Sequence, residues 1–343
     1  MPPGPFLFLA WRRVFKPPTT GGLTAVTDGS YNPQMLNAVR IAIVMLAGTM
    51  LVVASGVPGA DAHKQLIAHR GASGYAPEHT FAAYDLAIEQ KADFVEPDLA
   101  VAKDGVLICL HDDTLERTTN VEEVYPTRFS AEMKGRNSEK RWVANDFTVE
   151  EIGKLDAGSW FDSRFAGARV PTWDAMLARV QKHPGVGVYP ELKSPPLYTA
   201  RGIDMARIFV DSVRKHGLDT RESLRTTPMT IQSFDRPTIK RMSVELPTVP
   251  RVFLTSDDED VSDARLKDLA SFATGIGPEK KVIAAHPDMV ARAHALGLTV
   301  TAWTFRADEK TVYPSVQDEM AQFLYTFGID ALFTNNPDRF PRR

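Results

Sequence analysis

The sequence predicts an α/β fold: a (β/α)8 barrel of the TIM type with a small inserted segment after the third β-strand. Three observations predict it. Short apolar runs alternate with amphipathic, helix-like stretches, the pattern of a parallel sheet with helices outside. About eight such units occupy the roughly 280 residues that follow residue 62, which suits one barrel; a doubly wound sheet is the competing arrangement. Several apolar runs also end in ionisable side chains, as strands do that open onto a barrel mouth.

The elements follow in chain order. The first 62 residues read as a leader outside the domain. From Met35 the chain has a basic residue (Arg40), an apolar run from Ile41 to Val53 and then Ala60-Asp61-Ala62, the layout of a secretory signal peptide cleaved after Ala62. The run is shorter than the roughly 20 residues of a membrane span, so no stable span is expected in the mature form; an uncleaved anchor is the alternative. Met35 is read as the true start, with residues 1–34 a gene-calling artefact. The domain then covers 63–343.

Strands are expected at Leu66–Ala68, Phe94–Leu99, Val106–Leu110, Gly187–Leu192, Met229–Ser233, Arg251–Leu254, Thr299–Trp303 and Ala331–Thr334. Thr80 is a good N-cap for "TFAAYDLAIEQ", and Gly217 and Gly297 are good C-caps for "RGIDMARIFVDSVRKHG" and "HPDMVARAHALG". The interval from His111 to Gly187 is about 75 residues, against roughly 30 for one βαβ unit. The stretch from about Thr114 to Phe161 therefore reads as an insertion, with a capping box at Thr148 and Glu151.

Bulk properties exclude several functions. The formal charge of −3 falls to −5 once the leader takes away four cations and two anions, so nucleic acid is a poor partner. One cysteine, Cys109 in "VLICLH", excludes an internal disulfide and reads as a buried, inert thiol. The acidic "SDDEDVSDARLKD" lacks the glycine and terminal Glu of a calcium-binding EF-hand loop. "GVGVYP" lacks the third glycine of a dinucleotide fingerprint, and no phosphate-loop pattern occurs. Nothing in the sequence bears on oligomeric state.

Residues two apart on a strand share a face, so "FVEPDL" presents Glu96 and Asp98 together and "YPELKS" presents Glu191 and Lys193. Pro97 suits a strand end better than a central ladder position. The first strand ends in His69 and Arg70, and the third leads to His111. Three carboxylates, Glu96, Asp98 and Glu191, make an oxygen-rich site for one hard divalent cation, Ca²⁺ or Mg²⁺. Arg70 and Lys193 can hold an anion. His69 and His111 can serve as general base and general acid, with the assignment open between them. Cation, anion clamp and acid/base pair together point to phosphoryl-group chemistry.

With these residues in place, "AHRGASGYAPEHTFAAY", "DFVEPDLAVAKDGVLICLHDDTLERTT" and "YPELKSP" resemble the glycerophosphodiester phosphodiesterase family, in particular its secreted or periplasmic branch. The likeness continues through "LDAGSWF", "IQSFD", "GLTVTAWTFR" and "GIDALFTNNPD", over residues 65–340. It implies a TIM barrel with a segment inserted after the third strand. It also implies hydrolysis of glycerophosphodiesters such as glycerophosphocholine or glycerophosphoethanolamine to sn-glycerol 3-phosphate and an alcohol. By the resemblance His69 and His111 are the acid/base pair, Arg70 contacts phosphate, and Glu96, Asp98 and Glu191 are metal ligands. Lys193 lies near metal and phosphate, Phe234 and Trp303 line the glycerol end, and Gln232 is a candidate substrate contact. His79 stands where many relatives have Asn and is expected to be loop or pocket structure. The attacking group is either water or a glycerol hydroxyl that gives a transient cyclic phosphate. The resemblance and the export signal together favour Ca²⁺.

Two rivals remain. A lysophospholipase D or cyclising lipid phosphodiesterase on the same barrel would need an apolar entrance, but the insertion is polar and charged. A catalytically inactive secreted binding protein should lack part of the ionisable set, which is complete here.

Overall fold

The computed structural model describes residues 63–134 and 137–343. The leader assigned to residues 1–62 lies outside them. No helix among the described residues is long and apolar enough to cross a membrane.

Among the described residues there are thirteen strands: β1 (Gln65–Ala68), β2 (Phe94–Val95), β3 (Asp98–Val101), β4 (Leu107–Cys109), β5 (Ser130–Lys134), β6 (Asn137–Arg141), β7 (Gly187–Val188), β8 (Glu191–Leu192), β9 (Ile231–Ser233), β10 (Arg251–Thr255), β11 (Gly275–Pro278), β12 (Thr299–Phe305) and β13 (Ala331–Thr334). All but β5 and β6 belong to one 11-stranded sheet. Two staves of the barrel are each broken by a proline: β2 and β3 flank Glu96-Pro97, and β7 and β8 flank Tyr189-Pro190. Proline cannot donate to a ladder. The breaks are bridged from the sides, by Tyr189 N–H to Val95 O (3.0 Å) and Glu191 N–H to Pro97 O (2.9 Å).

Counting each broken pair as one stave, parallel pairing runs β1, β2/β3, β7/β8, β9, β10, β11, β12, β13 and back to β1. That is the eight-staved barrel, and it excludes the doubly wound sheet. Ile67, Phe94, Tyr189, Val252, Leu254, Ala331 and Phe333 fill its interior, with Trp303 packed against them. The larger apolar cluster contains sheet residues such as Leu66, Val95 and Val300 together with Tyr84, Phe209 and Met320 from helices.

Two expectations need correction. The strand expected at 106–110 is not a stave: β4 runs antiparallel to β3, with Cys109 opposite Leu99. It is the return arm of a hairpin that turns at Gly105, whose φ is +78°. The sixth stave, β11, was not expected at all, because "GIGP" reads as a turn. Here the glycines serve close packing. A Cβ on Gly275 would lie 2.3 Å from Thr299 Oγ1, and one on Gly277 would lie 2.6 Å from Leu254 Cδ2.

The expected caps are present. Thr80 accepts from Ala83 N–H, and the Thr148–Glu151 capping box is complete. Gly217 and Gly297 follow their helices with φ of +64° and +76°, the left-handed geometry of a helix stop. Between residues 114 and 161 lie an antiparallel hairpin (β5 with β6), a 3₁₀ turn at Ala144–Asp146 and a helical turn at Val149–Ile152. Cys109 is fully buried and free, and burial pushes its thiol up to about 12.

Candidate active site

One cavity of about 290 Å³ is lined by His69, Arg70, Glu96, His111, Glu191, Lys193, Gln232, Phe234, Trp303 and Arg306. The carboxyl ends of the staves build it. Register explains its wall: Asp98 pairs with Glu191, and Glu191 pairs with Gln232, across three adjacent staves. Glu96 sits at the proline break, where its Oε2 accepts from Arg70 N–H at 2.7 Å. His111 arrives by a different route. Leu110 N–H donates to Asp98 O at 2.9 Å, so the hairpin return lifts His111 to the level of the carboxylates.

Glu96, Asp98 and Glu191 each offer an oxygen within 4.8 Å of the other two, and all three are buried. Burial and the Asp98 charge push Glu96 well above the usual carboxylate range and Glu191 up to about 8. Burial also acts on Asp98, but Lys193, the His79 hydrogen bond and Arg70 outweigh it and hold that group well below its ordinary value. Burial and mutual repulsion therefore work against full ionisation of the triad. A hard divalent cation would supply the missing positive charge, and an all-oxygen donor set suits one. The residues present fit a metal.

Arg70 is surrounded by acceptors. Its Nη1 donates to Glu78 Oε1 (2.9 Å), and its Nε lies 3.3 Å from Asp98 Oδ2. Lys193 Nζ lies 3.1 Å from Glu191 Oε1 and 6.0 Å from the centre of the Phe234 ring. Gln232 Nε2 donates to Glu96 Oε1 and Tyr189 O, both at 3.3 Å. Its buried Oε1 has no partner among the described residues and is left for a donor entering the cavity. Phe234 and Trp303 meet edge to face at 5.5 Å, and Phe234 is 45% exposed, an apolar lip on a polar site.

The two histidines are held differently. His69 Nδ1 lies 2.7 Å from Asn335 Oδ1; an amide oxygen only accepts, so Nδ1 carries the proton and Nε2 keeps a lone pair. Burial, then the charge of Arg70, lower its pKa well below the ordinary value, so His69 is neutral near pH 7. His111 Nδ1 donates to Asp112 Oδ1 at 2.6 Å, which fixes the orientation of its ring.

Sequence reading missed four of these partners. Arg117 grips Asp112 (Nε–Oδ2 2.5 Å) and also Glu78 (Nη2–Oε1 2.7 Å). Arg70, Glu78, Arg117 and Asp112 thus form one chain of alternating charge that ends on the His111 ring. Arg117 and Asp112 stand in "HDDTLERTT", and Asn335 in "TNNPD", but only the fold brings them to the site. His79 was assigned to loop or pocket structure; it is buried, with Nε2 2.9 Å from Asp98 Oδ2 and Nδ1 2.9 Å from the Tyr84 hydroxyl. Its φ of +55° is left-handed, a conformation that Asn and His adopt more readily than most residues.

Comparison with known proteins agrees with this geometry. The model of the glycerophosphoryl diester phosphodiesterase family matches residues 69–339, most of the chain. The chain belongs to that family. The glycerophosphodiester phosphodiesterase of Bacillus subtilis (strain 168) is 34% identical over 284 residues, covering 80% of this chain and 84% of that protein. An Arabidopsis thaliana glycerophosphodiester phosphodiesterase is 32% identical over 309 residues, 78% of this chain and 82% of that one. Among solved structures, the Agrobacterium tumefaciens glycerophosphodiester phosphodiesterase superposes with a TM-score of 0.59 at 29% identity, over 81% of this chain and 99% of that chain. An Oleispira antarctica phosphodiesterase, solved with its product sn-glycerol-3-phosphate, shares the fold with a TM-score of 0.63 at 24% identity, over 80% and 94% of the two chains.

Proposed function

We propose that this member of the family hydrolyses glycerophosphodiesters, such as glycerophosphocholine and glycerophosphoethanolamine, to sn-glycerol 3-phosphate and an alcohol. One observation carries the reading: a neutral imidazole and a carboxylate-paired imidazole line the same cavity as an arginine, a lysine and a buried oxygen triad. The names of the relatives and the product held by the Oleispira antarctica protein support the same substrate class.

Glu96, Asp98 and Glu191 would hold the divalent cation. When bound, it neutralises charge and polarises a phosphoryl oxygen. Ca²⁺ is proposed over Mg²⁺, because calcium tolerates irregular carboxylate sets and magnesium demands near-octahedral geometry. Arg70 uses Nη1 on Glu78 and leaves Nη2 for a non-bridging phosphate oxygen; Lys193 adds a second positive charge. His69 Nε2 takes a proton from the attacking water, or from a glycerol hydroxyl whose cyclic phosphate water then opens, as the new P–O bond forms. His111, its ring held through Nδ1 by Asp112, gives the proton on Nε2 to the departing alcohol oxygen as the old P–O bond breaks. Phe234 and Trp303 shield the glycerol carbons from water, and Gln232 Oε1 accepts from a glycerol hydroxyl.

The test is release of sn-glycerol 3-phosphate from glycerophosphoethanolamine by the chain starting at His63. It is run with chelator, then with Ca²⁺ or Mg²⁺ restored. Release that chelator abolishes and Ca²⁺ restores best is expected. A folded protein silent with both ions would overturn the reading. Export to the periplasm or medium is part of the proposal, supported by the apolar run before Ala60-Asp61-Ala62. The native protein is expected to begin at His63 on N-terminal sequencing, and one beginning upstream of Met35 would exclude it.

A further inference from the structure

Each carboxylate of the triad is held by a different donor. Glu96 Oε2 accepts from the Arg70 backbone N–H at 2.7 Å, and Glu191 Oε1 lies 3.1 Å from Lys193 Nζ. Asp98 is held by His79, whose Nε2 stands 2.9 Å from Oδ2. Arg70 Nε lies 3.3 Å from the same oxygen but is not aligned to donate a hydrogen bond. Arg70 and Lys193 serve the phosphate as well. His79 has no such second task, and its ring is buried against the site.

His79 is itself fixed from two sides. Its backbone N–H donates to Arg70 O at 3.1 Å. Its Nδ1 lies 2.9 Å from the hydroxyl of Tyr84, a buried residue in the first turns of the helix at Phe81–Glu89, which Thr80 caps. An ionised carboxylate only accepts, so Nε2 carries a proton towards Asp98 and Nδ1 is left to the hydroxyl. Helix, hydroxyl and imidazole thus run in series to one oxygen of Asp98. The terminal torsion of an aspartate is broad, with no sharp rotamer. Without a fixed donor, Asp98 is free to turn its oxygens away from Glu96 and Glu191. The bond from His79 engages Oδ2 and leaves Oδ1 as the freer oxygen. A cation needs all three carboxylates turned to one point, so a partner that orders Asp98 beforehand strengthens binding.

We propose that His79 is a positioning residue for the metal site: anchored by Tyr84, it fixes Asp98 through Oδ2 so that Oδ1 is presented with Glu96 and Glu191 to a divalent cation. This rests on the metal-dependent reading above and deepens it by naming what orders the ligands.

The experiment is calorimetric titration of Ca²⁺ and Mg²⁺ into the full chain after chelator treatment, in wild type, His79→Leu, His79→Gln and Tyr84→Phe. Urea unfolding of each in chelator reports folding separately. Affinity is expected to fall about 10- to 100-fold in His79→Leu, the usual loss when the partner of a metal ligand is removed. His79→Gln, whose amide puts a donor where Nε2 stands, is expected to keep most of the affinity. Tyr84→Phe, which leaves Nδ1 unanchored, is expected to lose affinity, but less than His79→Leu. Wild-type affinity in a folded His79→Leu overturns the proposal, even with a lowered urea midpoint, because Asp98 is then held without the ring. Equal losses in His79→Leu and His79→Gln also overturn it, since the ring then matters for its shape and not for its proton. Should His79→Leu not fold, the other two variants decide: affinity kept in His79→Gln and lowered in Tyr84→Phe upholds the proposal, and any other pattern overturns it. Failure of the metal reading itself looks different, because the folded wild-type chain would then bind neither ion.

Discussion

Glu78 shows what a single side chain does for this site. It is 12% exposed and accepts from both Arg70 and Arg117. Burial would raise its pKa, but the two arginines outweigh burial and bring it down to about 2 from an ordinary 4.5. A depressed carboxylate stabilises the fold above its unfolded pKa, and that contribution is lost as pH falls from about 4.5 towards 2. The shift corresponds to about 3 kcal/mol. Glu78→Gln should therefore be less stable than wild type in denaturant titrations at pH 7, by up to about that amount, and the gap should narrow steadily towards pH 3. A gap independent of pH would contradict the ionised bridge. At the same scale, His69→Ala or His111→Ala should each lower turnover at least about 10² while circular dichroism stays native. Near-normal turnover in either would remove that residue from the mechanism. Most of the site was legible because its ionisable residues sit two apart on strands or directly after them. Glu78, Arg117 and Asn335 were not, because each acts through a partner 5 to 266 positions away that only the fold supplies; Asp112 stands next to His111, and only the fold turns the ring towards it. His79, expected as loop or pocket structure, reaches Asp98 from left-handed backbone, which no periodicity records.

At the scale of elements, the count of eight strands was reached by including β4 and omitting β11. The two errors have separate physical causes. "VLICL" is as apolar as a stave because it packs against β3 and the helix at Trp173–Val180, yet a three-residue turn at 103–105 forces it antiparallel. "GIGP" has turn composition because its neighbours leave no room for side chains. The first loop is under a similar constraint. Gly71 has φ +82°, and a Cβ there would lie 2.6 Å from the Ala83 carbonyl carbon, where the loop crosses the helix at Phe81–Glu89. Gly71→Ala should destabilise the chain by about 1–3 kcal/mol. Because His69 and Arg70 lead directly into that turn, it should also lower kcat by more than the loss of folded protein explains. Unchanged stability would mean that the helix can slide away, and the loop's close approach would then not be a requirement of the fold.

At the scale of the whole molecule, stability should couple to a divalent cation at the carboxylate triad, which could hold one. Three buried carboxylates meet at the mouth of a barrel whose interior is apolar, so the metal-free state must keep protons on part of the triad. Burial and the Asp98 charge push Glu191 up to about 8. A carboxylate raised in the folded state favours folding below its unfolded pKa, and that advantage is lost as pH rises from about 4.5 through 8. The metal-free chain should therefore lose stability over this range through Glu191. A divalent cation that needs the ionised form should restore it, and should do so more strongly at pH 8 than at pH 5.5, where protons compete for the same oxygens. A free ion 100-fold above its Kd contributes about 2.7 kcal/mol, or about 5 °C in Tm for a domain of this size. The measurement is thermal unfolding of the chain from His63 onward, in chelator and in millimolar Ca²⁺, at both pH values. The calcium-minus-chelator difference cancels titrations remote from the site. A clear rise at pH 8 that shrinks at pH 5.5 is the expected result. Equal rises would mean that the triad is already ionised at the lower pH, contrary to its burial. No rise at either pH would mean that the three carboxylates hold their protons, or the neighbouring Arg70 and Lys193, in place of a metal.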